Sequence, residues 1–234
     1  MTEPQGEWRP APARVPPDGD GVHVWRLHLD VSPDRLRQLA PLLGTDETAR
    51  ARRCALPRER DRFVAARGAV RAVLSRYTGV PAERLTFDRS RRGRPRLSGE
   101  AAEAGEGLDF NLSHSGGAAL IAVARGARVG VDVEEIDPAL DHRAMARRFL
   151  NATEGEIIEA LPGDAGRRMF FSRWTRREAY AKMTDGAIPR TLTVVAPHVL
   201  WDLAVGPDAC AALMTARPVG TPQCWTWDAF TDRA

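Results

Sequence analysis

FFSRWTRREAYAKMTDG, residues 170–186, contains Lys182, the only lysine of a 234-residue chain whose other 33 basic side chains are arginine. The stretch reads as the C-terminal part of a helix over residues 165–183, with Gly186 just beyond its end as a stop. An earlier stretch echoes it. Residues 57–79, PRERDRFVAARGAVRAVLSRYTG, carry an apolar stripe of Phe63, Ala66, Val70, Val73, Leu74 and Tyr77 and stop at Gly79. Phe63 to Gly79 and Phe170 to Gly186 are both steps of sixteen. This is the pattern of a duplicated α+β unit, or of two unrelated helices that share a length.

Strand patterns surround both helices. GVHVWRLHLDV, residues 21–31, alternates as a strand, and Ser32-Pro33 then opens a helix. LTFDRS is a short strand before an Arg/Gly/Pro loop. Residues 107–136, GLDFNLSHSGGAALIAVARGARVGVDVEEI, read as three strands with turns at 115–117 and 125–128. Thr153 and Glu156 have the spacing of a capping box for a helix through 161. Strands are expected at 192–196, 199–205 and 209–217, and QCWTWDAF would add a fourth. The division expected is a flexible Pro/Gly-rich tail over 1–20, an N-terminal half over 21–125 and a C-terminal half over 126–234.

Apolar residues at 43% and charged residues at 28% are globular proportions. No apolar run is long enough to span a bilayer, so no membrane role is expected. The widely spaced Cys54, Cys210 and Cys224 argue against a disulfide framework or a cysteine zinc site and for a reducing cytoplasm. Net charge is only +3, yet residues 50–71 hold eight Arg and residues 89–96 five. Such patches attract nucleic acid, phosphorylated cofactors or acidic proteins, or are solvated faces of an arginine-biased chain.

Within VGVDVEEI, Asp132 and Glu134 are two apart and share one strand face. Either the face is exposed, with Glu135 as one more surface acid, or a cation such as Mg²⁺ sits against it. Glu178 and Lys182 share a helix face at i,i+4. As a surface ion pair they are worth only about 0.3–0.5 kcal/mol, and Arg would serve equally well. Lysine differs as a compact charge whose pKa falls readily on desolvation, which favours a chemical role for the one lysine retained. Trp174 and Tyr180 read as packing for this helix. In FNLSHSGG, Ser113 and His114 enter a Ser/Gly turn whose backbone N–H groups suit a phosphate. They form no Ser-His-Asp triad by adjacency.

GVDVEEID, WTRREAYAKMTDG, FNLSHS and GRP together resemble the 4′-phosphopantetheinyl transferases, in the larger single-chain (Sfp-like) type that serves secondary-metabolite synthases. The likeness covers roughly residues 45–190, and RRFLNATEGEI resembles the family segment between the two main motifs. It implies an α+β chain of two similar, pseudo-duplicated α/β halves, with coenzyme A as substrate in the cleft between them. It implies transfer of 4′-phosphopantetheine to a serine of an apo acyl or peptidyl carrier protein of a polyketide or nonribosomal peptide synthase, releasing 3′,5′-adenosine bisphosphate. By the same likeness Asp132, Glu134 and Glu178 hold Mg²⁺, and Glu178 and Lys182 are catalytic. Arg50, Arg62, Arg94, Ser113 and His114 contact the coenzyme, and IDPALDHRAMARRF is a mobile part of the carrier surface. The chain departs from the family at Arg177 and Arg94, where lysine is usual; both keep the charge for phosphate contact. A monomer with no nucleic-acid partner is expected. A catalytically silent scaffold for coenzyme A or carrier, or a basic nucleic-acid binder, are the alternatives.

Overall fold

The computed structural model describes residues 6–12, 15 and 21–227. In chain order the strands are β1 (Trp8–Pro10), β2 (Val22–His28), β3 (Thr86–Arg89), β4 (Pro95–Ser98), β5 (Leu108–Ser115), β6 (Ala118–Arg125), β7 (Val129–Glu135), β8 (Val199–Leu203), β9 (Ala209–Thr215) and β10 (Gln223–Thr226). The helices are α1 (Pro33–Leu39), α2 (Thr45–Arg52), α3 (Pro57–Thr78), α4 (Gly99–Ala104), α5 (His142–Phe149), α6 (Ala152–Ala160) and α7 (Gly163–Thr184).

Five strands form one sheet in the order β1-β10-β2-β6-β5, and three form another in the order β7-β9-β8. β6 lies between β2 and β5 and is covered on both faces, so AALIAVAR reads as an unbroken apolar run. One face of this sheet, with Trp25, Leu27, Phe110, Ile121 and Val123, packs on Ala65, Ala66, Ala69, Val70, Val73 and Leu74 of α3. The other face, through Val22, Val24, Leu120 and Ala122, meets Val129, Val131, Val133 and Leu213 of the second sheet. Ala179 and Met183 of α7 cover the outer face of that second sheet at Ala212 and Met214. The layers therefore run helix, sheet, sheet, helix.

The strand orders of the two units correspond: β2-β6-β5 beside α3, and β7-β9-β8 beside α7, every pair antiparallel. Each long helix has 22 residues. Each also carries two arginines four apart that reach a glutamate of a preceding helix. Arg67 and Arg71 grip Glu47 of α2; Arg173 and Arg177 grip Glu154 of α6. Arg71 donates further to the carbonyls of Ala82 and Leu85, and Arg177 to that of Arg190. These guanidiniums are buried, so the planar fork satisfies several acceptors that water cannot reach.

Several expectations shift. α7 runs to Thr184, one residue beyond the expected end, and Asp185, in the left-handed region at φ 54°, ends it in place of Gly186. Aspartate tolerates that conformation because its short side chain bonds locally. The cap of α6 is Asn151 with Glu154, in place of Thr153 with Glu156. Residues 95–98 of the expected loop pair with β3 as β4. Residues 192–196 form no strand; Val195 is 55% exposed, and apolar alternation without a partner edge does not hold a strand. Residues 8–10 of the expected tail form β1 against β10, and β10, from the C-terminal half, completes the first sheet. The remaining described residues of that tail are coil, while residues 1–5, 13–14, 16–20 and the end of QCWTWDAF lie outside the described residues. The expected mobile segment contains α5, whose N-cap is Asp141.

Gly130 sets the distance between β7 and α7. A Cβ there would run into Ala179 O and the backbone of Met183. Backbone cannot yield as a side-chain tip can, so Gly130→Ala is expected to destabilise by at least about 1–3 kcal/mol. Gly155 of α6 has open space around it, and Gly155→Ala is expected to stabilise by about 0.5–1 kcal/mol through helix propensity. Thermal melts check both; a change of 1 kcal/mol moves Tm by about 2–4 °C in a chain of this size.

Candidate active site

The two sheets meet at edge strands β5 and β7, and side chains join them. Val129 N donates to Asp109 Oδ2 at 2.8 Å, Val131 N to Asn111 Oδ1 at 3.0 Å, Val133 N to Ser113 Oγ at 3.4 Å and Glu135 N to Ser115 Oγ at 3.2 Å. Every outward N–H of β7 in this run thus meets a short acceptor from every second residue of β5. The acceptors 109, 111, 113 and 115 were visible in LDFNLSHS as a period-two polar series; only Ser113 was singled out as a site residue. Glu135 is more than a surface acid: it accepts Gly117 N–H at 2.8 Å and ties the β5–β6 turn.

Lys182 enters at the third rung of this ladder. Its Nζ donates to Asp132 Oδ1 at 2.6 Å and to Ser113 Oγ at 2.8 Å, and Ser113 donates to the same Asp132 oxygen at 2.7 Å. Asp132 Oδ2 is buried and has no partner among the described residues. Burial pushes the Asp132 carboxyl up from the ordinary range, against the pull of Lys182 and Ser113. Glu134 is likewise raised by burial, with Asp132 adding to the shift. Glu178 is raised by burial, then by Asp132 and Glu134, with Lys182 opposing.

Asp132, Glu134, Glu178, Lys182 and Ser113 are therefore one electrostatic cluster. The expected Glu178–Lys182 pair is not a hydrogen bond; the ammonium bonds to Asp132 instead. A carboxylate that is only 2% exposed and already bonded to Ser113 offers the stronger charge-assisted contact. As placed, no three His, Cys, Asp or Glu side chains among the described residues converge to hold a metal ion. The chemistry of the set still suits a hard dication: three carboxyls of raised pKa, and one buried oxygen without a partner.

The expected coenzyme contacts separate into three places. His114 faces away from Ser113 by strand alternation; burial first, then Lys182 and Arg50, hold its imidazole below the usual value. Arg50 lines a cavity of about 140 Å³ with Phe63, Arg67, Arg89, Asn111 and Leu112. Arg67 and Arg89 were not singled out as site residues; Arg67 is one helical turn past Phe63, the signal by which it was findable. Arg62 lies by the β5–β6 turn, paired with Asp30 at 2.7 Å. Arg94 stands apart: it is 7% exposed, and its guanidinium is turned into the protein. Arg177, expected to keep a phosphate contact, is 1% exposed and committed to Glu154 and the Arg190 carbonyl.

Two family profiles match the chain. One described as "4′-phosphopantetheinyl transferase, N-terminal" covers residues 30–125, and one described as the 4′-phosphopantetheinyl transferase superfamily covers residues 128–204. The chain is 38% identical over 235 residues to the 4′-phosphopantetheinyl transferase HetI of Nostoc sp., spanning 94% of this chain and 98% of that one. It is 29% identical over 154 residues to the 4′-phosphopantetheinyl transferase psf-1 of Bacillus pumilus, 66% of this chain and 63% of the other. It is 30% identical over 135 residues to the 4′-phosphopantetheinyl transferase AcpT of Escherichia coli, 58% of this chain and 63% of the other.

The raised Glu178 pKa has a stability consequence. A carboxyl that holds its proton more tightly folded than unfolded favours the fold at low pH and loses that contribution as pH rises through the folded value. In metal-free buffer Glu178→Gln is therefore expected to melt above the parent chain near neutrality, with the gap closing as pH falls through the carboxylate range. Melts of both chains from acid to neutral pH check it.

Proposed function

The chain belongs to the 4′-phosphopantetheinyl transferase superfamily, and on that premise we propose how its own residues carry the reaction. It transfers 4′-phosphopantetheine from coenzyme A to carrier proteins. In the reading advanced here the acceptor is a serine of an acyl or peptidyl carrier. The serine oxygen bonds to the phosphorus that bears pantetheine, the bond from that phosphorus to the bridging pyrophosphate oxygen breaks, and 3′,5′-adenosine bisphosphate leaves with the electron pair. The serine proton needs a base, and the leaving oxygen needs positive charge.

The observation that carries this reading is the Lys182–Asp132–Ser113 triangle beside two further carboxyls of raised pKa. Asp132, Glu134 and Glu178 would hold Mg²⁺, which when bound supplies charge neutralisation on the pyrophosphate. Glu178 accepts the serine proton. Lys182 gives two of its three N–H donors to Asp132 and Ser113, which leaves the third for a phosphate oxygen. Arg50 and Arg89 supply cations for the nucleotide phosphates and Phe63 an apolar wall, while Arg67 at the same cavity is held by Glu47. Neutral His114 adds a hydrogen bond there, and Arg62 a cation at the neighbouring turn.

The strand correspondence and the two arginine–glutamate staples support related halves, with the site at their junction. Cys54, Cys210 and Cys224 are free thiols, in keeping with a reducing cytoplasm. No helix among the described residues is long and apolar enough to cross a membrane.

Mass spectrometry of an apo-carrier panel incubated with coenzyme A, Mg²⁺ and the protein is expected to show one added phosphopantetheine on at least one carrier; no transfer to any would overturn the reading. Asp132→Ala is expected to abolish transfer. Lys182→Arg keeps the charge but has the wrong shape, so kcat is expected to fall at least about tenfold with Tm nearly unchanged. A Lys182→Arg enzyme with parental kcat would remove lysine from the chemistry.

A further inference from the structure

We infer that Arg94 is a positioning residue for Lys182: it pins the last turn of α7 to the β5–β7 junction and makes no contact with the coenzyme. The inference rests on Lys182 having the role given above.

The last carbonyls of a helix have no partner within it, and the final turn frays unless something outside accepts that task. In α7 the N–H groups of Asp185 and Gly186 both turn back to Ala181 O, which leaves the carbonyl of Lys182. Arg94 Nη1 donates to that carbonyl. Its Nη2 donates to Asp109 Oδ2 at 2.6 Å, Phe110 O at 2.9 Å and Val129 O at 2.8 Å. Asp109 is also the first rung of the ladder, through Val129 N. One guanidinium thus ties the backbone of Lys182 to β5 and β7, the two strands that carry Ser113 and Asp132. Its charge also opposes the negative end of the helix dipole.

The loop that carries Arg94 is fastened to the same helix end. Ser90 Oγ donates to Asp185 Oδ1 at 3.0 Å and accepts the N–H of Arg94 at 3.1 Å, and Arg96 pairs with Asp185 at 3.5 Å. Burial and these contacts leave the guanidinium facing the protein interior, whereas two of the three arginines at the cavity, Arg50 and Arg89, are exposed; the third, Arg67, is paired with Glu47. A lysine at 94 has a single nitrogen. It reaches some of these oxygens but not the Lys182 carbonyl and the Val129 carbonyl together.

Arg94→Met and Arg94→Lys test the inference, with Arg50→Ala as the contrasting cavity variant. Hydrogen exchange of the amides of residues 180–186 and steady-state transfer are measured on each. Arg94→Met is expected to speed exchange at the end of α7 and to lower kcat by about 10–100-fold, since a misplacement near 1 Å suffices for that. KM for coenzyme A is expected to stay within about twofold, a purely catalytic effect. Arg94→Lys is expected to fall between Met and parent in both readouts, and it keeps the test alive if the Met variant does not fold. Arg50→Ala is expected to raise KM instead. A raised KM in the Arg94 variants with kcat preserved, shrinking for dephospho-coenzyme A, would make Arg94 a nucleotide contact and overturn the inference. Unchanged exchange at 180–186 would overturn it equally. A parent chain inactive on every carrier would defeat the functional reading alone, because exchange still reports whether Arg94 holds the helix end.

Discussion

Two sheet edges cannot be left bare in the middle of a protein. β5 and β7 are such edges, and here they run side by side without backbone pairing. Each outward N–H of β7 is met by a side chain from β5, Asp109, Asn111, Ser113 and Ser115 in turn. Leaving one buried N–H unmet costs about 1–3 kcal/mol, so the four rungs decide whether the sheets can meet here. The same rungs set the chemistry. Ser113 belongs to the ladder through Val133 and to the site through Lys182 and Asp132.

Arginine and lysine divide the work. The buried arginines, Arg71, Arg94 and Arg177, act as multi-pronged connectors between carbonyls and carboxylates of different elements. Their planar forks and permanent charge suit fixed geometry. The single lysine stands where a compact ammonium must touch two oxygens that lie close together. At 182 the space between Ser113 and Asp132 is defined by one small head group.

The site stores unfavourable electrostatics. Three carboxyls are held above their ordinary pKa by burial, Glu134 and Glu178 also by the neighbouring Asp132, and one oxygen of Asp132 has no partner among the described residues. Such a cluster destabilises the resting fold and is poised to bind cationic or transferring groups. Packing around it compensates: Gly130 brings α7 close against β7, and Ala179 and Met183 seal the contact with Ala212 and Met214.

Long periodic patterns were legible without the fold. The stripes of α3 and α7, the runs of β5, β6 and β7, and the shared face of Asp132 and Glu134 follow from side-chain spacing alone, since period fixes face. Some short elements were not legible: β4 needs the edge of β3, α2 the arginines of α3 and α5 the faces of α6 and α7, while residues 192–196 had strand composition but no edge to join. The residue types of the site were equally readable, because Lys182 stands out in an arginine-rich chain and Glu178 lies one turn before it. Which carboxylate the lysine holds was not. Glu178 is its neighbour in sequence, but Asp132, fifty residues away, is the buried acceptor, and burial decides the strength of a charge-assisted bond. Arg94 shows the same limit. Its charge was visible in GRP, but whether a guanidinium faces a ligand or a helix end depends on which carbonyls the packed elements leave unpaired, and only the tertiary structure determines those.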